Sequence, residues 1–181
     1  NSATMEQISV LGTSFPPRFQ RDEKLTKSSF EVIGLQPSES RLVVLLSSEG
    51  RSGKMLTVNG SDSAAIDVQW EKCARVSGRV LDQDSEPVAN MQVYIAPMQE
   101  PSQDNWSRVL GPVVTNAMGE FDLQLAPGGL YRLGAYRSMG PNFKVSIRPT
   151  AGATYKLGDL KDAMDLKEQA TEKFKQVTTE P

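Results

Sequence analysis

Residues able to do chemistry are few in this chain. Its 181 residues include no histidine and one cysteine, Cys73. Ser-His-Asp and Cys-His catalysis are therefore closed to it, as are His-containing or Cys-rich zinc sites and any disulfide within the chain. Cys73 stands at a junction between predicted strands. A small buried residue is the ordinary occupant there, whereas a reactive thiol needs an accessible, electropositive setting. Asp82, Asp84 and Glu86 could gather oxygens around calcium, but their spacing fits no calcium-binding loop, and acids crowded in one turn are normally solvated. Asp62 and Asp67 are no better placed. Gly50-Arg51-Ser52-Gly53-Lys54 has the outline of a phosphate loop, yet its first glycine is too close and Met55 stands where Ser or Thr would hold magnesium. It reads as a hairpin turn. No carboxylate pair can be assigned to a common cleft, so general acid–base chemistry has no support. The expectation is no enzyme, no catalytic residue, no metal and no cofactor.

Binding offers one candidate, Trp106. It lies in the long interval from Pro97 to Pro112, beside Asp104 and Asn105, and loops of that kind inside compact domains often carry function. Two readings stay open: Trp106 stacks on a sugar ring, or it folds back over the end of its domain. Trp70, which continues a face with Ile66 and Val68, is expected at a core end or a contact between modules.

Composition narrows the partners. A formal charge of −2 argues against nucleic acid, which needs a basic face. No stretch of about eighteen apolar residues exists, so no membrane insertion is expected. Residue 1 is Asn and no signal peptide is visible, which points to a piece of something longer. The length suits one or two small domains.

The elements that must position these residues read as strands. Val76, Gly78 and Val80 alternate with Ser77, Arg79 and Leu81. Asp82 to Pro87 breaks that pattern with turn-forming residues. Met91, Val93 and Ile95 then share one face of a second strand, expected to form a hairpin with the first or lie close to it. Thr115-Asn116 and Gly119 mark a turn. Phe121, Leu123 and Leu125 against Glu120, Asp122 and Gln124 make the cleanest alternation in the chain. Pro127-Gly128-Gly129 is a corner, and Tyr131, Leu133 and Ala135 resume the period of two.

This order of residues resembles the carboxypeptidase regulatory-like domain. The matching positions are Gly78, Arg79, Val80, Asp82, Pro87, Val88, Ala89 and Val93, then Thr115, Asn116, Gly119, Phe121, Leu123, Leu125, Pro127, Gly128, Tyr131 and Leu133. Asn116 stands where Asp is usual, and Gly129-Leu130 lengthens the corner by one residue. Thr154 to Leu160 is similar to the last strand of such modules. The resemblance implies a transthyretin-like, seven-stranded β-sandwich over residues 74–161. It carries over no catalytic residue, since the namesake enzymes keep theirs in another domain.

Residues 1–73 read as a partial second copy. Phe30–Pro37 parallels Phe121–Pro127, Leu42–Leu46 follows as a strand, and Glu49–Gly53 as a turn. Lys54–Val58 is then a strand, Asn59-Gly60 a turn, and Ala64–Trp70 a last strand. That is a repeat of about ninety residues lacking a counterpart of Val76–Leu81, which leaves an open sheet edge. In residues 162–181, Ala163, Leu166, Ala170, Phe174 and Val177 form one apolar stripe, predicting a C-terminal helix or tail. The fold class is all-β, with tandem transthyretin-like, Ig-like sandwiches. The function read from this is a non-catalytic structural or binding repeat of a larger bacterial protein. By family analogy it is extracytoplasmic, at the periplasm or cell surface. Its partners would be other domains of the parent chain and a protein or glycan ligand. The alternatives are a carbohydrate-binding module using Trp106 and an accessory domain of a peptidase.

Overall fold

The computed structural model describes residues 8–11, 23–25, 29–47, 49–98, 110–135 and 144–161. Among them the fold is all-β, as expected, with no helix. Trp106 and the stripe over residues 162–181 lie outside the described residues.

Three sheets form. The first has five antiparallel strands in the order β2-β1-β3-β4-β5, where β1 is Ile8–Leu11, β2 Glu23–Leu25, β3 Ser40–Ser47, β4 Ser52–Asn59 and β5 Glu71–Lys72. The other two contain β6 (Ala74–Val80), β7 (Gln92–Met98), β8 (Leu110–Val114), β9 (Glu120–Leu125), β10 (Leu130–Ala135), β11 (Lys144–Ile147) and β12 (Thr154–Leu160). A four-stranded sheet runs β11-β10-β7-β8, and a three-stranded one β12-β6-β9.

Period-two patterning explains this sandwich. In β9 every second residue is buried and every other one exposed. Phe121, Leu123 and Leu125 meet Val76, Val80, Val93, Ile95, Tyr131 and Leu133 in one core. The middle strand of the small sheet, β6, pairs antiparallel with β9 and parallel with β12. Gly78 lies under the ring of Phe121, where a Cβ would come within 2.8 Å of Cζ.

Of the two arrangements expected for β6 and β7, the hairpin does not form, though both strands contribute to one core. They belong to different sheets, and a single bridge, Leu81 to Pro87, joins the segments between them. Asp82 explains the crossing: its Oδ1 accepts from Asp84 N and Glu86 N, both at 2.9 Å. The tight turn this creates ends at Pro87, and the chain passes to the opposite layer. Two further turns hold β8 and β9 in place. Buried Thr115 donates from Oγ1 to Val88 O (2.7 Å) and accepts there from Met91 N (2.8 Å). Asn116 Oδ1 accepts from Met118 N and Glu120 N, both at 2.9 Å. An aspartate oxygen at this position would accept the same two bonds. Gly119 sits at φ 71°, with room for no Cβ beneath Val80 O.

The interval expected as one loop from Pro97 to Pro112 is shorter at both ends. Pro97 and Met98 extend β7 along β10, and Leu110 begins β8. Pro97 lies beyond the last β7–β8 pair, Ile95 to Leu110, where a missing N–H disturbs no ladder on that side.

The first sheet differs from a copied sandwich. The strand expectations for Leu42–Leu46 and Lys54–Val58, and the turn between them, are met in β3 and β4. Phe30–Pro37 and Ala64–Trp70 form no strand. Glu31, Ile33, Gln36 and most of residues 61–70 are exposed, and alternation without a ladder or a packed face does not fix a strand. Buried Arg41 holds the first segment instead, donating from Nη1 to Ile33 O at 2.8 Å and from Nη2 to Gly34 O at 3.3 Å.

The two faces of β3–β4 have different fates. Val44 and Met55 join the sandwich core, with Leu42 and Leu46 packed beside them. Here the Pro127-Gly128-Gly129 corner acts as a socket. Met55 N donates to Pro127 O at 2.7 Å, and a Cβ on Gly128 or Gly129 would come within 2.2 Å of Met55 O or Sδ respectively. Val43 and Leu45 face away and make a separate cluster with Phe30, Val32, Leu56, Val58 and Val68.

Candidate functional site

That second cluster is the floor of an open trough of about 850 Å³. Leu45, Leu56 and Val58 line it from the hairpin. Two segments that never join the sheet form its walls, Ser29–Ile33 and Asp62–Trp70. A sheet face normally hides its apolar side chains under a second layer. Here Phe30, Val32 and Val68 pack on that face, while Ile33, Ile66 and Trp70 of the same two segments stay 57%, 48% and 44% exposed. Such clustering on a surface marks an interaction site more often than isolated exposure does.

Electrostatically the trough is one-sided. Glu31, Asp62 and Asp67 line it, and no Lys or Arg does among the described residues. Asp62 is fixed by accepting from Asn59 N at 2.8 Å through Oδ2. Lys54, on the same face of β4, pairs with Glu71.

Other candidates separate from one another. The outer face of the three-stranded sheet carries a shallow groove with Arg79 and Asp159 in a two-point pair at 2.9 Å and Arg75 Nε bonded to Asp122 Oδ2 at 2.7 Å. Each partner raises the guanidinium pKa, chiefly through the hydrogen bond and then through charge. Asp82 serves its own turn, apart from Asp62 and Asp67. Among the described residues no group of three possible metal ligands converges. Gly50 and Arg51 lie in the β3–β4 turn, with Gly50 at φ 65° and its N donating to Ser47 O at 2.8 Å, and Ser52–Lys54 begin β4.

Cys73 is buried against the sandwich core, as its junction position predicts, and burial pushes its thiol up to about 11. Tyr131 is fully buried with no hydrogen-bond partner for Oη, and its phenol is pushed up by that burial and then by Cys73. Both groups are neutral, water-excluded packing groups. Trp70 departs from expectation: it lies at the open trough, and Cys73 and Ala74 fill the buried junction instead. Exposed Ile33, Ile66 and Trp70 were each legible as apolar residues in weak alternation. What sequence could not supply was which residues of these segments pack on the sheet, Phe30, Val32 and Val68, and which stay exposed.

No family model matches the chain, and no curated protein matches it. Several solved structures do. One is the dioxygenase domain of a dioxygenase–carbohydrate-binding fusion from Streptomyces sp. SirexAA-E, at 13% identity over 50% of this chain and 80% of that one, with a TM-score of 0.36. A second is catechol 1,2-dioxygenase from Acinetobacter sp. ADP1, at 10% identity over 56% and 55%, TM-score 0.36. A third is the Bacillus anthracis TIE protein, at 11% identity over 90% of this chain and 32% of that one, TM-score 0.40. These comparisons correct the expectation of a chain that is no enzyme, because many of the matched structures are dioxygenases. At such identities and TM-scores they assign no activity here. What falls is the exclusion of catalysis, since a β scaffold hosts enzymes and binders alike.

Proposed function

We propose that this chain is a binding module of a larger protein and that the trough on its first sheet is the binding face. The observation that carries this is the clustering of exposed Ile33, Ile66 and Trp70 around one apolar floor, whereas the other exposed large apolar residues, Val114 and Met118, do not line it. Residues 74–161 are read as a transthyretin-like module of the carboxypeptidase regulatory-like kind, supported by their seven strands in sheets of four and three. Residues 1–73 are the unit that presents the trough.

A neutral apolar dye such as Nile red tests the reading on the whole chain. Bound dye should brighten, and Ile33→Ser with Ile66→Ser should remove most of that signal while leaving the circular dichroism unchanged. A signal indifferent to both substitutions refutes the trough as the binding face.

A further inference from the structure

We infer that the trough takes an extended polypeptide strand, apolar on the side facing the floor and carrying lysine or arginine along its flank. This rests on the reading of the trough as a binding face.

Shape and charge both point to that occupant. The floor is one face of a β-hairpin, with aliphatic side chains at the spacing of two. An added strand presents its own side chains at the same period, so the two sets interdigitate as the inner faces of a sandwich do. Phe30, Val32 and Val68 pack on that face and bury Val43 and Leu45, while Leu56 and Val58, two residues apart on β4, keep partly exposed side chains for a guest strand to meet. Glu31, Asp62 and Asp67 belong to the lining, with no basic residue beside them among the described residues. Nearby cations are already engaged: Lys54 by Glu71, and Arg41 by the carbonyls of Ile33 and Gly34. A basic flank on the guest meets those carboxylates. An acidic one is repelled, and charge of this kind selects partners and speeds their encounter.

Other occupants fit less well. A glycan needs hydrogen-bonding groups on the surface it covers, and this floor is Leu45, Leu56 and Val58. A second copy placed trough to trough would bring two acidic linings together.

The test uses Trp106→Phe, which leaves Trp70 as the sole tryptophan and so as the reporter. Two eight-residue synthetic peptides are titrated, one alternating valine with lysine and threonine, the other identical but with glutamate for lysine. The lysine peptide should shift Trp70 emission to the blue and bind about tenfold more tightly than the glutamate peptide at low salt. Glu31→Lys with Asp67→Lys should abolish or invert that preference without loss of thermal stability. Equal binding of the two peptides overturns the inference, as does silence toward both while Nile red still reports the trough. In either case the binding face itself survives. If Nile red is indifferent to Ile33 and Ile66, both readings fall. A dimer in light scattering that Ile66→Asp dissolves would give the trough to a second copy and likewise overturn the proposal.

Discussion

Substituting Gly128 by alanine should loosen the first sheet from the sandwich. Gly128 adopts φ 111°, a region closed to ordinary side chains, and forcing alanine there costs about 1–3 kcal/mol. The new Cβ would also lie 2.2 Å from the carbonyl oxygen of Met55. That obstacle is backbone, so β4 itself must retreat. Retreat breaks the 2.7 Å bond from Met55 N to Pro127 O, worth about 1 kcal/mol net. It also uncovers part of Met55, now 1% exposed, whose full burial is worth about 1.5–3 kcal/mol. The sum is about 3–6 kcal/mol, a large share of a small domain's stability. Urea unfolding gives the total, and hydrogen exchange at the Met55 amide localises it. Gly129→Ala is the internal control. Its Cβ meets the Met55 sulfur, which can swing aside, so the loss should be smaller and Met55→Ala should mask it. A Gly128→Ala protein within about 0.5 kcal/mol of wild type, with Met55 exchange unaltered, would refute the socket.

Alkaline pH should destabilise the fold through Cys73. Burial favours its neutral thiol, so above pH 9.0 the unfolded chain gives up this proton while the fold keeps it until about 11. Stability falls across that window by roughly 2–3 kcal/mol. Cys73→Ala should flatten the decline in a pH series of urea midpoints, and Tyr131, shifted the same way, continues the loss at higher pH. Tyr131→Phe removes an unsatisfied buried hydroxyl and should leave stability unchanged or raise it by about 1 kcal/mol in thermal unfolding. Thr115→Val strands the Met91 amide and the Val88 carbonyl and should cost about 2–4 kcal/mol by the same measurement. Arg79→Ala, by contrast, removes an exposed pair with Asp159 and should leave the thermal midpoint nearly unchanged, with any loss shrinking further as salt is added.

Most of the fold was legible because alternation is a local signal. Glu120 to Leu125 can bury one face in only one way, and Asn116 with Gly119 closes its turn through atoms a few residues apart. Partner choice is not local. Nothing in Val76–Val80 or Gln92–Met98 says that they lie in opposite layers, since that depends on how the turn at Asp82 aims the chain. Phe30–Pro37 and Ala64–Trp70 show the reverse case, where alternation is present and no ladder forms. The sequence by itself determined the all-β class, the turns, the buried faces of β9 and β10, and the absence of histidine chemistry. Tertiary structure alone decided that Pro127-Gly128-Gly129 would seat Met55 and that Phe30, Val32 and Val68 would pack on the other face of β3–β4 while Ile33, Ile66 and Trp70 stayed exposed. Both depend on surfaces brought together from far along the chain, where a side chain's burial is set by what arrives above it.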